Sequence, residues 1–157
     1  MKHDKPLGAI LIGMIIVIPL EIISLFFKHL GWITVTNGEA CSMMFIPEGS
    51  WILGLYALPS VGGLAIFMLY QLTKIIGTDY LPVKGFIIGM AAKAFVFVIF
   101  GTLAKNYHLI QTPLGNYVIG FNSGFGGFLG GILMKKYLFK ESSQSIKVKR
   151  YSENHDK

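Results

Sequence analysis

Residues 106–134 run for 29 positions without a lysine, arginine, aspartate or glutamate, and residues 49–73 do so for 25. Two further stretches carry one charge each: Glu21 between Lys5 and Lys28, and Lys93 between Lys84 and Lys105. Runs of that length constrain the chain more than any motif does. A helix crossing a hydrocarbon layer of ~30 Å needs ~20 mostly apolar residues at ~1.5 Å per residue. The pattern therefore predicts an all-α, polytopic membrane protein, a bundle of four transmembrane helices over 7–27, 51–73, 85–104 and 113–134. A barrel is excluded, because its strands would alternate in polarity every ~10 residues and these runs do not.

Composition supports the same class. Charged residues are only 14% of the chain, against roughly 25% in a soluble domain, while hydrophobic residues reach 53%. An aromatic content of 13% argues against disorder. The sequence divides into a transmembrane domain over 1–140 and a basic tail over 141–157, expected to be disordered. The first apolar run is too long for a signal peptide, contains Glu21, and is followed by no small-x-small cleavage site.

Lysine and arginine set the expected orientation. With four spans, one side holds Lys2, Lys5, Lys74, Lys84, seven basic residues from Lys135 onward and no others. The opposite side holds only Lys28 and Lys105. This bias predicts a multi-pass protein of the cell membrane with both termini cytoplasmic. The basic tail lies where it would meet anionic lipid, and no recognition motif accompanies it that would suggest nucleic-acid binding. The expected partners are the lipid bilayer itself and, for the packing surfaces below, a second copy of the chain or a larger membrane complex.

The polar residues within the spans are the candidate functional set. An ionisable group at membrane depth costs ~2.5–3.5 kcal/mol and must face the bundle interior or water. Counting ~1.5 Å per residue from the outer span ends puts Glu21 roughly 9–13 Å down, Asn122 and Ser60 roughly 13 Å, and Lys93 roughly 16 Å. Ser123 adjoins Asn122. Pro19 and Pro59 lie in or beside the same layer, each removing one helical hydrogen bond. Three arrangements are open to these groups. Glu21 and Lys93 form a structural pair with Asn122 as third partner; or the layer is an ion, proton or small-solute site; or Lys93 snorkels to an interface and never meets Glu21.

The fourth span is rich in small residues. Gly120, Gly124, Gly127 and Gly131, with Ser123, Gly126 and Gly130, repeat small-xxx-small spacing, which lets helix backbones approach closely. Gly85 and Gly89 in the third span, and Ala9 and Gly13 in the first, are the expected mates. Packing within the chain and oligomerisation both use such a surface.

No catalytic or metal chemistry is legible. The histidines at 3, 29, 108 and 155 form no ligand motif, and the lone Cys41 excludes a CxxC site. No nucleophile elbow or nucleotide loop is found. Neither an enzyme nor a cofactor is expected. The sequence favours a structural or interaction subunit, or an oligomerising bundle. The alternative is a small transporter or channel element using Glu21 and Lys93.

Overall fold

A computed structural model describes residues 4–43, 45–98 and 109–139. It is helical throughout, with no strand among the described residues: α1 (Lys5–His29), α2 (Asn37–Ser42), α3 (Trp51–Ile76), α4 (Leu81–Val98) and α5 (Pro113–Tyr137). Three of these, α1, α3 and α5, are long and apolar enough to cross a membrane. The remaining expected span, 85–104, corresponds to α4, and its last six residues lie outside the described set, as does the tail 141–157.

The helix boundaries follow from local chemistry. Pro6 and Pro113 open α1 and α5 in the first turn, where a missing N–H is harmless. Ser50 and Thr112 cap α3 and α5 by accepting from the N–H of Leu53 and Gly115. Gly77 ends α3 at φ 74°, a conformation an L-residue with a side chain rarely adopts. Pro19 and Pro59 sit within continuous α1 and α3.

Around the bundle the packing runs α3–α1–α5–α4, and the seam between α4 and α3 is the weakest of that ring. Close contact is made through glycine. A Cβ on Gly127 would overlap the carbonyl of Gly85, and one on Gly85 would overlap that of Gly127. Gly89 lies as tightly on the Ser123 carbonyl, and a Cβ on Gly131 would come within 2.6 Å of the Leu81 carbonyl oxygen. Gly124 faces Phe86 and Met90 of α4, while Gly126 and Gly130 accommodate Leu20 of α1 and Ile66 of α3. The α5 glycines thus pack within the chain on two faces. Gly120 differs, since a Cβ there would have nothing within 4 Å. Gly13 does not mate with α5 as expected; it meets Gly62 and Gly63 of α3.

The two ends of the bundle are closed differently. At the end where the described chain starts and stops, Ala9, Ile66, Leu69, Tyr70, Leu81 and Met134 form an apolar cluster. There Lys5 Nζ lies 6.0 Å from the Phe139 ring centre. The opposite end is covered by residues 33–42, including α2, which slots between α1 and α3. Gly54 of α3 approaches Gly38 so closely that a Cβ would lie 2.5 Å from the Gly38 carbonyl carbon and oxygen.

Candidate functional site

The predicted polar layer resolves into a buried clasp at the α2 end, built from α1, the segment before α2, and α5. Glu21 is 4% exposed. Its Oε1 accepts from the Thr36 hydroxyl at 2.6 Å, and its Oε2 from the Gly38 N–H at 3.0 Å. The Gly38 amide is one of the first-turn donors that a helix leaves without an internal partner. A carboxylate from α1 therefore completes the start of α2. A side chain on Gly38 would collide with it, since a Cβ would lie 2.8 Å from Oε1.

One turn along α1, Ser24 is the second anchor. Its Oγ accepts from Asn122 Nδ2 at 2.9 Å and from Asn37 Nδ2 at 3.1 Å. Asn122 Nδ2 also donates to the Leu20 carbonyl at 3.1 Å. Asn122 thereby ties α5 to α1, and Asn37 ties α2 to the same serine. Among the described residues no buried side-chain nitrogen or oxygen lacks a partner.

Above the clasp, Thr36 also acts as N-cap of α2. Its hydroxyl oxygen accepts from the Glu39 N–H, and Glu39 Oε2 accepts from the Thr36 N–H, a reciprocal capping box. Lys28 donates to both Glu39 oxygens, at 2.6 and 2.7 Å. It is the one salt bridge among the described residues. Gln111 stitches the same cap to the start of α5: Nε2 donates to the Val35 carbonyl at 3.0 Å, and Oε1 accepts from the Thr34 N–H and hydroxyl, each at 2.9 Å.

Lys93 takes no part in the clasp. Its Nζ donates to the Asn116 carbonyl at 3.0 Å and lies 4.7 Å from the centre of the Phe97 ring. Asn116 is three residues into α5, so the ammonium sits roughly 5 Å from that helix's end. Glu21 and Lys93 therefore form no salt bridge with each other, the first of the sequence-based arrangements, and each is held by different partners. A long, flexible stem lets the ammonium find a partner away from its own Cα. Ser60 is also outside the cluster. It is exposed, and its hydroxyl turns back to the Tyr56 carbonyl four residues earlier, at 3.5 Å. Ser123 is half-buried, its backbone against Gly89.

Cys41 is a free thiol, buried on α2. Burial pushes its thiol up to about 12, and the Glu21 carboxylate adds to that rise. The thiol is thus protonated and unreactive at neutral pH. His29 ends α1 at an exposed position, while His108 lies outside the described residues. No group of three His, Cys, Asp or Glu able to hold a metal is found among the described residues.

Beneath α2, a cavity of about 130 Å³ occupies the bundle centre. Its walls are almost wholly apolar, with Asn37, Cys41, Lys93 and Ser123 as the polar exceptions, and neither Glu21 nor Asn122 lines it. No family model, curated protein or solved structure matches this chain.

Proposed function

We propose that this chain is an integral membrane protein of four spans, with both termini cytoplasmic and α2 capping the outer face, and that it acts as a non-catalytic structural or interaction subunit. Three apolar helices support the membrane reading. The fourth crossing is α4, whose 18 described residues rise roughly 27 Å, close to the ~30 Å of hydrocarbon. The two described chain ends lie together, opposite α2, and the described basic residues Lys5, Lys74, Lys84, Lys135 and Lys136 belong to the helix termini at that end.

The observation that carries the structural reading is the use made of Glu21. Both carboxylate oxygens are engaged in holding the α2 segment, and its neighbours Ser24, Asn37 and Asn122 are engaged with one another. A coordination site keeps ligands or water within reach of its ion; this cluster satisfies itself. The alternative, a small transporter or channel element, draws on the central cavity, but that space excludes the carboxylate such a site would need.

Reconstitution separates the two. Under the structural reading, wild-type liposomes show no pH- or ion-dependent flux, and Glu21→Gln lowers resistance to unfolding. A wild-type flux that Glu21→Gln abolishes at unchanged stability would establish the transport reading instead. Protease access to tags at both termini checks orientation, with digestion from the cytoplasmic side alone expected.

A further inference from the structure

The weak seam between α3 and α4 coincides with the cavity. Near the turn that joins them the two helices are close: a Cβ on Gly85 would be 3.3 Å from Leu69, and Leu69 and Leu81 share the apolar cluster. Further along, Leu58, Val61 and Ala65 on α3 face the same space as Ala92, Val96 and Phe97 on α4. Most of these are only half-buried, as side chains bordering an opening are. Among the described residues the bundle is thus a ring left unsealed on one side, toward the end that α2 covers. In a bilayer that opening faces acyl chains.

The chemistry of the walls limits the occupant. Among the described residues that line the space there is no carboxylate to meet a cation, and the single formal charge is Lys93. Of its three N–H donors, the Asn116 carbonyl takes one, and no acidic group among the described residues pairs with it. A volume of about 130 Å³ is well below the ~300 Å³ at which drug-sized pockets begin, and suits a segment of a single hydrocarbon chain. Lys93 Nζ lies roughly 5 Å from the end of α5, the level at which headgroups begin if the spans are as proposed.

We infer that the cleft between α3 and α4 is a binding site for an anionic membrane phospholipid, one acyl chain entering the cavity and the charged headgroup resting on Lys93. This rests on the membrane reading above but not on the structural role given to Glu21. The lipid fills the apolar space between the helices, and its anionic group meets an ammonium whose described neighbours are a carbonyl and a ring.

The test uses the full chain in phosphatidylcholine vesicles doped with a phosphatidylglycerol bearing a photoactivatable diazirine midway along one acyl chain. Cross-linked residues are mapped by mass spectrometry. Labelling at Val61, Ala65, Ala92 and Val96 is expected, competed by unlabelled phosphatidylglycerol and not by further phosphatidylcholine. Lys93→Gln, which retains a donor for the Asn116 carbonyl, should reduce cleft labelling at least fivefold. Ala65→Phe, which fills the cleft, should abolish it while leaving labels on Ile15, Ile18 and Ile22, the exposed face of α1. If Ala65→Phe does not fold, Lys93→Gln decides alone. Labelling of the α1 face without the cleft, or cleft labelling indifferent to Lys93→Gln or to headgroup charge, overturns the lipid site and spares the membrane reading. Failure to label either region overturns both.

Discussion

Where α4 meets α5, two backbones touch because glycine leaves nothing between them; where α1 meets α2, a carboxylate reaches across to fill two empty donors. If the chain spans a bilayer as proposed, both junctions hold helices together where the hydrophobic effect is weak, because lipid solvates apolar surfaces equally well. The glycine seam relies on shape, and shape is intolerant of added volume. The clasp relies on hydrogen bonds in a dry interior, where a missing acceptor costs more than the bond itself contributes. The two junctions should therefore fail in different ways.

The largest effect belongs to the seam. Gly127→Val places a side chain inside the Gly85 carbonyl, a backbone atom that cannot swing aside. Its cost should meet or exceed the upper end of the ~1–3 kcal/mol of ordinary overpacking, measured as the shift in denaturant midpoint in mixed micelles. Gly120→Ala is the control on the same helix. With nothing nearby, it should be neutral or stabilising by up to about 1 kcal/mol, since alanine is the better helix former. A loss comparable to that of Gly127→Val would reveal a surface of α5 that a second copy occupies.

In the clasp, Glu21→Leu strands the Thr36 hydroxyl and the Gly38 N–H without an acceptor. At ~1–3 kcal/mol for each buried group left unsatisfied, a loss of about 3 kcal/mol is expected by the same unfolding measurement. Lys28→Met should be far milder, at most about 1 kcal/mol. The Lys28–Glu39 pair is partly exposed, with side-chain accessibilities of 38% and 19%, and solvent screens it. The least perturbing probe is Cys41. Because burial holds its thiol protonated up to about pH 12, maleimide at pH 8 should modify the folded protein at less than roughly a tenth of the denatured rate. Rapid labelling in Glu21→Leu alone would show that the carboxylate keeps α2 seated.

Much of the glycine seam is legible in the sequence, because small-xxx-small spacing on one helix needs only a matching pair on another, and Gly85 and Gly89 supply it. Glu21 and Asn122 are legible as misfits in apolar runs. Their partners are not. Which donor a buried carboxylate finds depends on how residues 33–42 fold back, and that is set by contacts from Gly54 and Gln111, distant in sequence. One local signal was present: Thr36-x-x-Glu39 has capping-box spacing, marking a helix start inside what reads as a loop. Counting residues along a helix locates the Lys93 Cα but not its ammonium, which a long flexible stem carries to the Asn116 carbonyl. Ser60 fails for a different reason. A helical serine has its own preceding carbonyl as a ready partner and needs no cluster.

The central claim is that Glu21 works on the α2 segment and not on Lys93. A pair of double-mutant cycles on stability measures this directly, one combining Glu21→Leu with Thr36→Val, the other combining Glu21→Leu with Lys93→Met. The account requires a coupling of at least about 1 kcal/mol between Glu21 and Thr36 and additive losses, within about 0.5 kcal/mol, for Glu21 and Lys93. Strong coupling to Lys93 with none to Thr36 would contradict it.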